Sequence, residues 1–182
     1  MRRCEYCEKS IVAKNAQARF CSDKCRTYAR RASKREVLPA ALTNRGRWIR
    51  YSDRVKKIPL TIDGRNASST NPRTWSSYAE ANASTVGAGL GFVLGDGIGC
   101  IDLDHCLIDG ELTEAARAFV AGYPGHYIEV SPSGDGLHIW GLADEQPGTR
   151  RAIDGLSIER YSTGRYITIT REVHQAGQLL PL

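Results

Sequence analysis

No lysine follows Lys57, although the chain runs to 182 residues. That absence exposes a division of charge. Residues 1–57 carry 17 Lys and Arg against 5 Asp and Glu, a net of +12. Residues 58–182 carry 8 against 15, a net of −7. The overall +5 therefore hides a basic arm on an acidic body, a pattern expected of a nucleic-acid-binding segment joined to a body rich in cation ligands. Apolar runs of about 18 residues are also missing, so no transmembrane helix and no membrane partner are expected. No apolar stretch follows the charged N-terminus, so no secretory signal is expected and the cytoplasm is the expected compartment. Without export, the six cysteines are not expected to form a disulfide framework. Internal repeats and low-complexity tracts are absent.

Four of those cysteines lie in the first 25 residues, as Cys4-x2-Cys7 and Cys21-x3-Cys25. Two close pairs separated by a short loop can offer four thiolates to one tetrahedral zinc. A segment this short has no core of its own, so the metal would hold it together. Ser22 and Asp23 can cap a helix running to about Glu36. Arg26, Arg30 and Lys34 recur every fourth residue and share one face with Arg31 beside it, a natural contact for a phosphate backbone. Residues 37–47 contain Pro39 and Gly46 and read as a linker. The expected organisation is a zinc knuckle with a basic helix over 1–36, the linker, and a larger domain over 48–182.

Within 48–182, strands are expected at Trp48–Tyr51, Gly91–Leu94, Ile98–Asp104, His126–Val130, Leu137–Leu142, Leu156–Tyr161 and Tyr166–Thr170. Helices are expected over about Thr74–Ala83, capped by Thr74, and over Leu112–Ala121. Gly95-Asp96-Gly97 carries a hairpin signal between its flanking strands. The order predicts an α+β fold with an antiparallel or mixed sheet covered by helices.

The chemistry-bearing residues cluster in three segments. Asp102 and Asp104 are two apart on a strand, so both side chains face one way. Two carboxylates so close repel unless a cation lies between them, and oxygen ligands suit Mg2+ or Mn2+. Glu159, on another strand, would complete a site for two such ions. Ser133-Gly134-Asp135-Gly136-Leu137-His138 offers glycines that bring amide groups near an anion, with a hydroxyl and an imidazole as donors. Read alone, this loop is better taken as an ordinary glycine-rich hairpin. Cys100 and Cys106 read as buried free thiols, His105 as local structure, and Trp75 and Trp140 as core residues. Trp48 is a candidate for stacking.

These motifs, in this order, resemble the primase-polymerase branch of the archaeo-eukaryotic primase superfamily, as found in phage and plasmid replication modules. The matching segments are Ile101-Asp102-Leu103-Asp104, Ser133–His138 and Ile158-Glu159. The resemblance extends to Lys57-Ile58-Pro59, Thr70–Trp75 and Gly164-Arg165-Tyr166, and covers roughly residues 48–171. It implies a catalytic sheet like that of an RNA-recognition motif beside a smaller αβ module. It also implies two catalytic Mg2+ or Mn2+ ions on Asp102, Asp104 and Glu159. The nucleotide's phosphates would fall to Ser133, Gly134, Gly136, His138 and Arg165, with Lys57 as a further nucleotide or template contact. The implied partners are a single-stranded DNA template, ribo- or deoxynucleoside triphosphates and a separate replicative helicase. A phage-encoded enzyme would work in the host cytoplasm. Larger relatives carry a helical priming domain and a helicase, which the sequence does not show after its last strand. They often have glycine where Arg171 stands. Alternatives left open are a metal-dependent nuclease, a D-x-D glycosyltransferase and a non-catalytic single-strand-binding adaptor.

Overall fold

The computed structural model describes residues 2–7, 9–11, 18–33 and 38–182, with the backbone alone at 30–33. Lys34 and the side chains of Arg30 and Arg31 therefore lie outside the described residues. In chain order the elements are α1 (Asp23–Ser33), α2 (Ala40–Thr43), β1 (Trp48–Tyr51), β2 (Pro59–Leu60), a short 3-10 turn (Pro72–Thr74), α3 (Tyr78–Ala83), β3 (Gly89–Val93) and β4 (Ile98–Asp104). There follow β5 (Leu107–Ile108), β6 (Glu111–Leu112), α4 (Glu114–Val120), β7 (Tyr127–Val130), β8 (Leu137–Leu142), β9 (Thr149–Ile153), β10 (Leu156–Tyr161), β11 (Tyr166–Ile169), β12 (Val173–Gln175) and β13 (Leu180–Pro181).

The strands form an α+β architecture with two main sheets. One is antiparallel, in the order β11-β3-β1-β2. The other runs β12-β7-β8-β4-β10-β9, with β13 pairing β8 in parallel at its end. The Gly95–Gly97 segment is not the turn of a long hairpin. A single bridge, Gly95 to Ile98, joins its two sides. Beyond it β3 pairs with β1 and β11, while β4 pairs with β8 and β10. Local turn chemistry reverses the chain, but the two strands enter different sheets. β10 and β11 separate in the same way across Ser162–Gly164.

The helix expected at Thr74 starts later. Ser77 and Glu80 close a reciprocal capping box that begins α3 at Tyr78, while Thr74 Oγ1 is engaged by the backbone of Asn71 and Ser68. Ser22 caps α1 as expected, its Oγ accepting from the backbone N–H of Cys25 at 3.2 Å.

Period-2 alternation sorts the larger sheet into two faces. Ile101, Leu103, Ile128, Val130, Leu137, Ile139 and Ile158 point toward α4, where Ala116 and Val120 are buried with them. The opposite face carries Cys100, Tyr127 and Trp140, which join Trp48, Phe92, Leu90 and Ile167 of the smaller sheet in a second core. Rings pack edge to face through this core, Trp48 on Phe92 at 5.2 Å and Phe92 on Trp140 at 6.0 Å. Trp48 is fully buried there, which removes it as a stacking platform. Trp140 meets the expectation of a core residue. Trp75 is half-buried, with the Arg47 guanidinium over its ring at 4.4 Å. Cys100 and Cys106 are buried free thiols, both with pKa values pushed up by burial.

Candidate active site

The face that packs against the smaller sheet becomes polar along its strands. Tyr127, Trp140, Cys100 and Tyr161 form one cross-strand row. Two residues along, the next row reads Glu129, His138, Asp102, Glu159 and Arg150, one residue from each of β7, β8, β4, β10 and β9. Asp104 lies one further step along β4, opposite Ser157. The pleat therefore puts Asp102, Asp104 and Glu159 on one face, where the core gives way to solvent.

The carboxylates do not stand alone. Arg150 Nε donates to Glu159 Oε1 at 2.9 Å, and Tyr161 Oη donates to Glu159 Oε2 at 2.7 Å. The Arg165 guanidinium lies over the Tyr161 ring at 4.2 Å and donates to its hydroxyl at 3.0 Å. It also comes within 3.9 Å of Glu159. Asp104 has no such cation partner among the described residues. Burial raises its pKa, and the charges of Asp102 and Glu159 raise it further. A divalent cation between these groups would relieve that repulsion, so the donor set fits a hard metal ion.

This repulsion has a measurable consequence. A carboxyl with a raised folded-state pKa favours folding when protonated. That favour is complete below the ordinary carboxylate pKa and is lost as pH rises through the raised value. Asp104→Asn is therefore expected to raise the melting temperature of metal-free protein at neutral pH, with the gain vanishing near pH ~4. Divalent cations should stabilise the wild type more than this variant. Equal melting curves at neutral pH without metal would remove the repulsion.

His138 is buried beside Asp102, its Nε2 3.6 Å from Asp102 Oδ1 and its Nδ1 3.4 Å from Glu129 Oε1. Burial opposes the charged imidazolium, but the Glu129 hydrogen bond and the Asp102 charge outweigh it and raise the pKa. Glu129 was not among the residues expected at the site. Its carboxylate is fully buried and also accepts from Trp140 Nε1 at 3.3 Å and the backbone N–H groups of Thr170 and Arg171 at 3.2 and 2.8 Å. A lone acid in the apolar strand Tyr127-Ile128-Glu129-Val130 was the available signal. Arg171 reaches Glu129 with φ +59, the left-handed conformation that glycine adopts most readily.

The expected nucleotide residues divide between two cavities. Asp102, His138, Lys57 and Arg165 line one of about 430 Å3, with Ser69 and Tyr166. Tyr166 Oη donates to the Lys57 carbonyl, tying the Lys57 turn to β11. Ser133 and Gly134 instead line a cavity of about 380 Å3. Ser133 Oγ donates to Asp135 Oδ1 at 2.5 Å, and Asp135 also pairs with His105 at 2.8 Å. Gly136 has a packing role, since a Cβ there would stand 2.6 Å from the Leu103 carbonyl oxygen.

The N-terminal cysteines converge. The sulfurs of Cys4, Cys7, Cys21 and Cys25 all lie within 4.8 Å of one another and can hold a metal ion. Among the described residues this is the one such set of three or more His, Cys, Asp or Glu side chains. Cys21 Sγ is 3.5 Å from the sulfurs of both Cys7 and Cys25, near the ~3.8 Å edge of a tetrahedron with Zn–S bonds of about 2.3 Å. Burial works to raise the Cys4 pKa, but backbone N–H groups of Cys7, Cys21 and Tyr6 lower it to about 6. Hydrogen bonding to Cys25 and Cys7 pushes Cys21 up to about 12. On α1, Arg26 is exposed and pairs with Asp23 at 3.0 Å.

No family model matches the chain. A DNA primase-polymerase of Nitratiruptor phage NrS-1 is 41% identical over 145 residues, which cover 73% of this chain and 20% of that protein. The chain thus spans about a fifth of the relative's length. An identity of 41% over 73% of the chain supports its place in a primase-polymerase family.

Proposed function

We propose that the chain is a template-dependent DNA primase-polymerase, synthesising primers in phage or plasmid replication. The observation that carries this reading is the cross-strand row of His138, Asp102 and Glu159 with Asp104 one step along β4. The row opens on a cleft that also holds Lys57 and Arg165. Three acids on adjacent strands provide cation ligands, and the basic groups beside them provide contacts for a polyphosphate. The named activity of the phage relative agrees with that chemistry. The two sheets are read as the catalytic sheet and companion module of an archaeo-eukaryotic primase fold. The organisation proposed is a metal knuckle over 1–36, a linker over 37–47 and the catalytic domain over 48–182.

Asp102, Asp104 and Glu159 would hold two Mg2+ or Mn2+ ions. Such ions, when bound, acidify a 3′-hydroxyl and neutralise charge on departing pyrophosphate. The protein's own part is positioning and electrostatics. His138, fixed from behind by Glu129, would present Nε2 to the cleft. Lys57 and Arg165 would balance the triphosphate's charge. Arg150 and Tyr161 hold Glu159 in place and would give way to a cation as ligands assemble. The cysteine set would take one structural zinc, and Arg26, Arg30, Arg31 and Lys34 would meet the template backbone. A separate helicase and the host cytoplasm complete the proposed setting.

The test supplies single-stranded template, nucleotides and Mg2+ or Mn2+, with and without primer. New or extended strands are expected, and failure under every condition overturns the reading. Metal analysis should find about one zinc per chain. Cys21→Ser should lose that zinc and impair initiation more than primer extension; retained zinc would refute the assignment to all four cysteines.

A further inference from the structure

The cavity of about 380 Å3 takes no part in the chemistry proposed above, yet it is built from three directions. Lys24 and Tyr28 come from α1, Arg54 from the turn after β1, and Ser133, Gly134 and Arg171 from the segments after β7 and β11. Its volume falls within the ~300–1,000 Å3 of small-molecule sites. The cysteine module closes it. Tyr28 Oη donates to the Gly134 carbonyl at 3.4 Å. Gly134 has φ +84, and a Cβ there would stand 2.9 Å from the same hydroxyl. The loop thus allows the close approach that completes the wall.

Charge in this cavity is one-sided. Lys24, Arg50, Arg54 and Arg171 line it against one acid, Glu172, among the described residues. Arg50 is fixed, its guanidinium donating to the carbonyls of Val86 at 2.6 Å and Ala81 at 3.3 Å. Arg171 donates to Asn82 Oδ1 at 3.0 Å. Lys24 lies over the Tyr28 ring, its Nζ 5.8 Å from the centroid. Tyr6, Tyr28 and Tyr51 add aromatic wall, the combination of cations and rings that suits a nucleotide. A single backbone phosphodiester brings one negative charge, too few for this excess, whereas a terminal triphosphate brings several.

We infer that this cavity binds the 5′-triphosphate of a nucleotide, with Lys24, Arg54 and Arg171 around the phosphates and the tyrosines beside the nucleoside. The choice of a nucleotide as ligand rests on the strand-synthesis reading. The triphosphate has two possible sources, a free nucleoside triphosphate or the 5′ end of a newly started strand. In either case the cysteine module and the catalytic body grip it jointly.

The test compares two 3′-labelled oligonucleotides of one sequence, ending in 5′-triphosphate or 5′-hydroxyl. Binding is read by fluorescence anisotropy on the full zinc-loaded chain carrying Asp104→Ala, so the catalytic face is the same in every arm. The triphosphate end is expected to bind about tenfold tighter, the size of one or two charge-assisted hydrogen bonds. Adding Lys24→Gln and Arg54→Gln should abolish that preference while zinc content and the circular dichroism spectrum stay unchanged. Arg171→Gly should also weaken it, since φ +59 suits glycine and the backbone N–H to Glu129 is kept. Competition by free ATP identifies the free nucleotide as the source; its absence identifies the strand end. Equal affinity for the two ends, or a preference that survives the double substitution, overturns the inference. With Asp104 restored to the chain, Lys24→Gln with Arg54→Gln should extend a supplied primer at the wild-type rate. Loss of extension by the wild type would instead strike the strand-synthesis reading.

Discussion

Asp104→Ala is expected to cut strand synthesis by about 10^3-fold or more, the size of effect seen when a charge-stabilising group leaves an active site. Binding of single-stranded template should remain close to wild type. Asp104 stands at the end of β4, on the same face as Asp102, with Glu159 on the paired strand. Burial and these two charges hold its pKa up, so the carboxyl costs the metal-free fold stability. A group that destabilises the fold and lacks a cation partner among the described residues is one whose use lies with a ligand. Primer extension on a defined template, with Mg2+ and with Mn2+, measures the loss. Synthesis within tenfold of wild type would show that Asp104 holds no catalytic ion. The pairing of effects is diagnostic: Asp104→Asn should melt higher without metal and still fail to synthesise.

Glu129→Ala is expected to destabilise the protein by about 3–5 kcal/mol, as when one partner of a buried charged pair is removed. For a chain of this size that lowers the melting temperature by roughly 10 °C. The carboxylate is fully buried. Besides His138 and Trp140 it accepts from Tyr127 Oη at 3.4 Å and from the Thr170 and Arg171 backbone. Thr170 and Arg171 follow β11 of the smaller sheet, so Glu129 joins the two sheets as well as orienting His138. Truncation leaves several donors without an acceptor in the protein interior. Glu129→Gln keeps an acceptor oxygen but turns an NH2 toward donors, and an intermediate loss is expected. A melting temperature within ~2 °C of wild type for Glu129→Ala would refute this account.

Local spacing carried much of this site. The alternation of Ile101-Asp102-Leu103-Asp104 put both acids on one face, and β4 confirms that orientation through its register with β8 and β10. The pairs Cys4-x2-Cys7 and Cys21-x3-Cys25 anticipated a cluster because short loops restrict where their sulfurs can go, and the four do converge. Ser22 announced α1 by its side-chain chemistry. Thr74 misled because a stronger cap, Ser77 with Glu80, lay three residues on.

Partnership between distant strands was another matter. Gly95-Asp96-Gly97 encodes a reversal, but not whether the strands it joins stay together, and here they part into separate sheets. The motif from Ser133 to His138 reads as one phosphate grip, yet Ser133 and Gly134 line one cavity and His138 another. Nothing near Glu129 in the chain names His138, Thr170 and Arg171 as its partners, nor does anything near Glu159 name Arg150. Side-chain direction follows from a period of two within one strand and is readable there. Which charges become neighbours depends on strand order and register, and packing of the whole core sets those. The sequence alone therefore established the acidic body, the basic cysteine arm and the strand face that Asp102 and Asp104 share. The folded chain decided that the acids meet across β4 and β10, that Glu129 stands behind His138, and that the arm closes a second cationic cavity.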